Sequence, residues 1–242
     1  MGKSNVICII PARKNSKGIK NKNIQKINGK ELIKYPFDLA HKSKYIDEIV
    51  FSTDSRKYIN ILQKNKKFKK KTHFLLRPKK LAQDNSSSYS VIDHAIKKIN
   101  KNVGIVVLLE PTSPLTTKKD LDFGIKKLLN KNSKFESVVS IVSNSKFNSN
   151  YKFEINRNYK IINLNKNINK RRQKVLDEYV LSGNFYISRK DSLDRNKNFT
   201  SKKTYGFVIK KKYYTDIDDH LDLKFANLLC KLNKKWKKKY LS

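Results

Sequence analysis

The chain has 242 residues, with 56 Lys or Arg against 20 Asp or Glu, a formal charge of +36 and a hydrophobic content of 38%. That length suits one α/β domain with an embellishment or two small domains, no run approaches the ~18 apolar residues of a membrane span, and four scattered His with two distant Cys give no ground for a zinc site. The charge invites nucleic acid as a partner, but 48 of the basic residues are Lys and only 8 Arg, beside 26 Asn and 24 Ile, which is what AT-rich codon usage yields rather than a reader built on Arg forks.

In chain order, Asn5–Ile10 is a continuous apolar run that predicts a strand buried on both faces. The N-terminus shows no basic and apolar leader regions, so a cytoplasmic protein is expected. A polar loop runs from Pro11 to about Asn23, and Leu32–Ser43 then fits a helix, with Pro36 compatible only with its first turn. Glu48–Ser52 predicts a second strand, Ser55–Lys64 a helix and Thr72–Leu76 a third strand. Val91, Ile92, Ala95, Ile96 and Ile99 form a helical stripe within Ser87–Ile99. Val103–Leu109 is the most apolar strand, followed by a helix at Lys119–Leu129 and a strand at Ser137–Val142.

The pattern breaks over 143–176, where Lys, Asn and Arg dominate. A structureless loop that long is out of place in a compact domain, so the segment predicts a small excursion, a β-ribbon or helix that packs on a partner. Asn184–Ser188 and Tyr205–Ile209 return to strand, and from Asp219 the residues Leu221, Phe225, Leu228, Leu229, Leu232 and Trp236 share one face of an amphipathic helix. Alternation of this kind predicts a single α/β domain over 1–242, built of βαβ units around a mostly parallel sheet. Cys8 and Cys230 sit in apolar patterns far apart, as buried free thiols of a reducing compartment do.

The segment Ile9–Ile24, IIPARKNSKGIKNKNI, ends a buried strand and continues into a loop with Arg13, Lys17, Gly18, Lys20 and Lys22. Loops at the carboxyl ends of strands hold ligands in open α/β sheets; Gly18 lets backbone approach closely and the cations suit a polyphosphate. Neither GxxxxGK[ST] nor GxGxxG is present. Asp216 and Asp218 form a D-I-D pair, which in an extended stretch shares one face and suits a hard cation such as Mg²⁺. Asp219 and Asp222 read as first-turn acids of the last helix.

IIPARKNSKGIKNKNI resembles the N-terminal signature of the acylneuraminate cytidylyltransferases, the CMP-sialic acid synthetases. FSTDS (51–55), RPKKLAQDNSSS (77–88), LLEPTSPL (108–115) and YTDIDDHLDL (214–223) extend the resemblance in order, and RRQKVLDEYVLSGNFYI (171–187) is similar to the sugar-side segment. The resemblance implies a Rossmann-like nucleotide-binding core, transfer of CMP from CTP to a nonulosonic acid with release of pyrophosphate, a Mg²⁺ requirement and a homodimer built through the excursion. It assigns Arg13, Lys22, Asn23, Arg77 and Ser88 to the nucleotide, with Arg13, Lys22 and Asp218 as catalytic groups. It assigns Asp216 and Asp218 to the metal, and Glu110, Arg172 and Tyr186 to the sugar.

Four departures fall on the sugar side. Glu110 replaces the usual Gln, Thr116 a common Arg, Val180 an expected Arg and Ser182 an expected Asn. A diamino nonulosonate such as a legionaminate is therefore expected as readily as N-acetylneuraminate. An eight-carbon Kdo-type acid is the enzyme alternative, disfavoured by LLEPTSPL. A basic nucleic-acid-binding protein is the alternative of a different class, motivated by charge alone.

Overall fold

A computed structural model describes residues 5–64, 68–99, 101–144, 153–155, 161–164 and 177–240, the side chains of 233–240 and of the two short segments excepted. The first strand, β1 (Val6–Ala12), shows how the core is made. Val6, Cys8, Ile10 and Ala12 point to one face and join Phe37, Tyr58, Leu62, Leu121 and Ile125, whereas Ile7 and Ile9 point to the other and join Ile92, Ala95, Ile96 and Leu193. Alternate side chains of one strand thus feed two cores, so helices must cover both faces of the sheet. They do: α1 (Lys34–Lys42), α2 (Arg56–Gln63) and α4 (Lys118–Leu129) lie on the first face, and α3 (Ser88–Ile99) and the short α5 (Lys190–Asn196) on the second.

The sheet has seven strands. With β4 (Glu48–Thr53), β5 (Lys71–Leu76), β6 (Ile105–Leu108), β7 (Ser137–Ser143), β10 (Tyr179–Arg189) and β11 (Thr204–Val208), the spatial order is β11-β7-β10-β6-β1-β4-β5. Only β10 runs against its neighbours; β1, β4, β5 and β6 are mutually parallel, as are β7 and β11. The expected mostly parallel α/β sheet is therefore present. The chain leaves β1 towards β4 on one side and returns to pair β6 on the other, so a crevice opens beyond the carboxyl ends of β1 and β6.

Predicted and observed elements agree along most of the chain, with four additions. After a single 3₁₀ turn at Lys22–Ile24, β2 (Lys26–Ile27) and β3 (Lys30–Glu31) form a small hairpin across Asn28-Gly29. Both turn residues have positive φ (49° and 77°), the conformation that Asn-Gly accepts most easily. Helix α5 was not anticipated. Strand β10 starts at Tyr179, five residues before the predicted Asn184, and its pairing with β7 shifts between Leu181 and Tyr186. Gly183, at φ 72°, makes this bulge: a side chain there would be strained and would meet the Ser113 hydroxyl at 3.0 Å. The excursion contains an antiparallel ribbon, β8 (Phe153–Ile155) paired with β9 (Ile161–Leu164), in line with the ribbon option.

The last helix, α6 (His220–Tyr240), forms as expected but faces differently. Ala226 and Cys230, with the half-buried Leu223, close a third small core over Ile19, Ile27, Leu32 and Ile217. The predicted stripe of Leu221, Phe225, Leu228 and Leu232 is exposed. Cys8 and Cys230 are buried free thiols, and burial pushes the Cys8 thiol far above its ordinary range.

Candidate active site

The crevice beyond β1 and β6 is where the ordered motifs of the sequence meet. A cavity of about 250 Å³ lies there, lined by Arg13 and Lys22 from the first loop, Arg77 after β5, Ser88 at the start of α3 and Glu110 after β6. Asn23 lines it too, but its Nδ2 donates to the Arg13 carbonyl at 2.8 Å, which makes it a brace for the loop that carries Arg13.

The FSTDS segment holds this loop from beneath. Lys14 N donates to Asp54 Oδ1 at 2.7 Å, and the Tyr58 hydroxyl donates to the Lys14 carbonyl at 3.3 Å. Arg77 N donates to the Thr53 carbonyl at 2.8 Å. That bond draws the Arg77 side chain inward, where the residue is 6% exposed and its Nε and Nη1 have no protein partner. Burial holds the guanidinium somewhat below its ordinary pKa, with Asp54 opposing the shift, so it stays charged. A buried cation in the wall of a cavity that also gathers Arg13 and Lys22 makes a site for an anion. Arg13 is paired with Asp84, which also accepts from Lys17 at 3.1 Å; the two cations hold the Asp84 carboxyl below the usual carboxylate range.

The D-I-D segment crosses the rim of the same cavity. Thr215 and Ile217 are buried and Asp216 and Asp218 are not, so the two carboxylates share a face, as their spacing predicted. Ile217 N donates to the Thr112 carbonyl at 3.2 Å, and Lys22 Nζ donates to the Ile217 carbonyl at 2.7 Å and to Asp218 Oδ1 at 3.0 Å. Gly18 makes this approach feasible: a Cβ there would lie 2.1 Å from the Asp218 carbonyl oxygen. Asp219 Oδ1 accepts from the backbone of Leu221 and Asp222, and Asp222 Oδ2 from that of Asp218 and Asp219, which gives both the capping role expected of them. Desolvation, then the neighbouring Asp218, raises the Asp216 pKa against the pull of Lys22.

A second cavity of about 300 Å³ adjoins the first and shares Ser88 and Glu110 with it. Tyr186, opposite Leu108 across the β10–β6 pair, stands in its wall, with Leu193 and Phe199 as apolar neighbours and Tyr89 and Lys197 as polar ones. Lys197 Nζ donates to the Tyr89 hydroxyl at 2.8 Å, which donates to Asp194 at 3.1 Å. Glu110, at the junction, is pushed up to about 7 by burial and then by Asp216, with Lys22 opposing. Its neutral form is therefore present at neutral pH, which lessens the conflict between a carboxylate and an anionic ligand.

Of the residues singled out in the sequence, Arg13, Lys22, Asn23, Arg77, Ser88 and Glu110 line the first cavity, Tyr186 the second, and Asp216 and Asp218 the rim; Arg172 lies outside the described residues. Thr116 binds the Ser113 and Asn184 carbonyls and has a structural post. Asp84, Tyr89, Lys197 and Phe199 were not singled out. Asp84 was findable as the lone acid of RPKKLAQDNSSS, whereas no sequence signal marked the other three.

The meeting of these segments in one crevice is matched by comparison with known proteins: residues 7–239 match the family described as Cytidylyltransferase. The chain belongs to the cytidylyltransferase family. Among its relatives, the N-acylneuraminate cytidylyltransferase of Escherichia coli O18:K1:H7 is 30% identical over 93% of the chain, which spans 52% of that protein's length. The pseudaminic acid cytidylyltransferase of Campylobacter jejuni serotype O:2 is 31% identical over 94% of this chain and 97% of its own. The CMP-N,N'-diacetyllegionaminic acid synthase of the same strain is 30% identical over 94% and 95%. A solved CMP:2-keto-3-deoxy-manno-octonic acid synthetase in complex with CTP superposes with a TM-score of 0.67 at 15% identity, over 95% of this chain and all of the other, and shares the cytidylyltransferase fold.

Proposed function

We propose that this cytidylyltransferase couples CTP to a nonulosonic acid, giving the CMP-sugar and pyrophosphate. The observation that carries the proposal is a cavity that gathers Arg13, Lys22 and the buried Arg77, with a second cavity of similar size joined to it at Ser88 and Glu110. The first cavity takes the nucleotide and the second the sugar, so the anomeric hydroxyl and the α-phosphorus meet near Glu110. That hydroxyl oxygen bonds to phosphorus and gives up its proton to solvent, the bond to the bridging oxygen of the β-phosphate breaks, and pyrophosphate leaves with that bond's electron pair.

Arg77 and Ser88 hold the nucleotide, and Arg13 exchanges Asp84 for phosphate oxygens. Lys22 neutralises charge on the phosphates from its place beside Asp218. Tyr186 and Glu110 orient the sugar, with Arg172 as a cation for its carboxylate. Asp216 and Asp218 would hold a divalent cation. Their donor set fits, because two carboxylates on one face of an extended segment are hard oxygen ligands that leave positions for water and phosphate oxygens, the habit of Mg²⁺. Bound there, the cation supplies charge stabilisation to the phosphates.

The excursion makes the homodimer, and the reaction runs in the cytoplasm, where buried free thiols such as Cys8 and Cys230 persist. No helix among the described residues is long and apolar enough to cross a membrane.

The test is a panel of nonulosonic acids with CTP and Mg²⁺, read by pyrophosphate release and product mass. A CMP-sugar from N-acetylneuraminate, a legionaminate or a pseudaminate supports the proposal and names the sugar. Turnover with an eight-carbon acid alone, or comparable turnover with ATP or GTP, overturns it.

A further inference from the structure

Helix α5 ends on Lys197 in the left-handed conformation (φ 52°, ψ 18°), where a helix terminus ordinarily places Gly or Asn. The other non-glycine residues with positive φ among those described are Asn21 and Asn28, of the type that tolerates it. A lysine there carries a backbone cost that Gly would avoid. The cap does not call for it, because the bond from Lys197 N to the Leu193 carbonyl, 2.9 Å, needs no particular side chain. Strain retained in this way collects at ligand sites, and Lys197 stands in the wall of the second cavity.

The side chain is held from a neighbouring helix. Lys197 Nζ donates to the Tyr89 hydroxyl at 2.8 Å and lies 4.4 Å from the centre of the Tyr89 ring. That hydroxyl gives its own proton to Asp194 at 3.1 Å, and Asp194 is paired with Lys190. Tyr89 on α3 and Asp194 on α5 thus fix the ammonium between two helices. Of its three N–H donors, Tyr89 takes one. Leu193 and Phe199, both buried, line the same cavity and shield a contact made there from water.

Among the described residues, the charges that act on Glu110 are Asp216, Lys22 and Asp218, and Lys197 is not one of them. The ammonium therefore lies away from the junction of the two cavities. A nonulosonic acid carries its carboxylate on the anomeric carbon, which has to reach the α-phosphorus at that junction, so the oxygen within reach of Lys197 is an uncharged one farther along the sugar. We propose that Lys197 is a specificity-determining residue, which donates to a hydroxyl or acylamino oxygen of the sugar remote from its anomeric carbon, with Tyr89 and Asp194 as its positioning residues. This rests on the assignment of the second cavity to the sugar.

The test is steady-state kinetics with CTP and two sugars, N-acetylneuraminate, which offers hydroxyls in that region, and a diacylamino nonulosonate, which offers a further amide carbonyl. Lys197→Met and Lys197→Gly should each raise the KM of the sugar used by about 10-fold, the loss of one charged hydrogen bond. A contact far from the reacting atoms is made equally in ground and transition states, so kcat and the KM for CTP should stay within about twofold. The sugar with the larger loss identifies the oxygen. Lys197→Gly should do this without lowering the unfolding temperature, since Gly suits the backbone there. Tyr89→Phe should raise the sugar KM by about 3-fold alone and add nothing to Lys197→Met. An unchanged KM for both sugars in both Lys197 variants overturns the proposal, and so does an equal loss towards CTP. Wild-type protein that turns over no nonulosonic acid overturns the assignment of the cavity, and this proposal with it, before any variant is compared.

Discussion

Replacing Glu110 by Gln probes how the fold tolerates a carboxyl group between its two cavities. Burial and Asp216 push that group up to about 7, from an ordinary value of 4.5. Between these values the folded protein keeps a proton that the unfolded chain has lost, so stability falls as pH rises through the window. At about 1.4 kcal/mol per unit, the cost reaches about 3 kcal/mol above pH 7 and is under about 1 kcal/mol at pH 5. Gln keeps the shape and never ionises. Glu110→Gln should therefore exceed the wild type by up to about 3 kcal/mol at pH 8, and the two should draw together towards pH 5. Water reaching the carboxylate would reduce the gain without changing its sign. The assay is urea unfolding in EDTA, so that no divalent cation neutralises Asp216, in half-unit steps from pH 5 to 8.5. Thermal scans at pH 8 should show a rise of roughly 5–10 °C. A difference that is constant with pH, or that grows towards acid, would refute the reasoning.

Asp218→Asn should lower Mg²⁺-dependent turnover by about 10²–10³-fold with the fold intact; activity retained at ordinary Mg²⁺ would place the cation elsewhere. Gly18→Ala must displace either the first loop or the D-I-D segment, since its Cβ would lie 2.1 Å from the Asp218 carbonyl oxygen. A misplacement on that scale should cost about 10²-fold in kcat, and unchanged kcat would mean that the two segments move freely. At pH 8, where Glu110 is mostly ionised, Glu110→Gln should also shift preference from a diamino nonulosonate towards N-acetylneuraminate by about 1–3 kcal/mol in relative kcat/KM, because a carboxylate only accepts whereas Gln also donates. An identical ratio in both proteins would remove Glu110 from sugar recognition. Deleting 148–170 should yield a lower mass in light scattering and poor sugar turnover, and an unchanged mass would acquit the excursion.

The sheet was legible because strands such as NVICII and VGIVVLL are buried on both faces and leave no ambiguity of period. The first cavity was legible because its parts come in contiguous motifs, each at the carboxyl end of a strand. What escaped was shorter or long-range. Strands β2 and β3 have two residues each, too few for a pattern, and only Asn28-Gly29 announced them. Helix α5 is seven residues long and anchored by Leu193 rather than by a stripe. In β10 the bulge at Gly183 interrupts the alternation that would have shown its length. In α6 two faces carry apolar residues, and the heavier one turned outward because small residues, Ala226 and Cys230, let the helix sit close on Ile217. The pairing of Lys197 with Tyr89 spans 108 positions, which no local pattern encodes.

The excursion hangs from a narrow neck. Strands β7 and β10 run antiparallel into it, with Tyr179 opposite Ser143, and Asn144 N donates to the Glu178 carbonyl at 2.8 Å just beyond. Entry and exit are thus fixed side by side, whatever lies between. Loop-closure entropy grows slowly with length, so residues added or lost beyond the neck leave the register of the seven-stranded sheet as it was. The appendage can then diversify, by insertion or by exchange between relatives, while the crevice beyond β1 and β6 keeps its geometry.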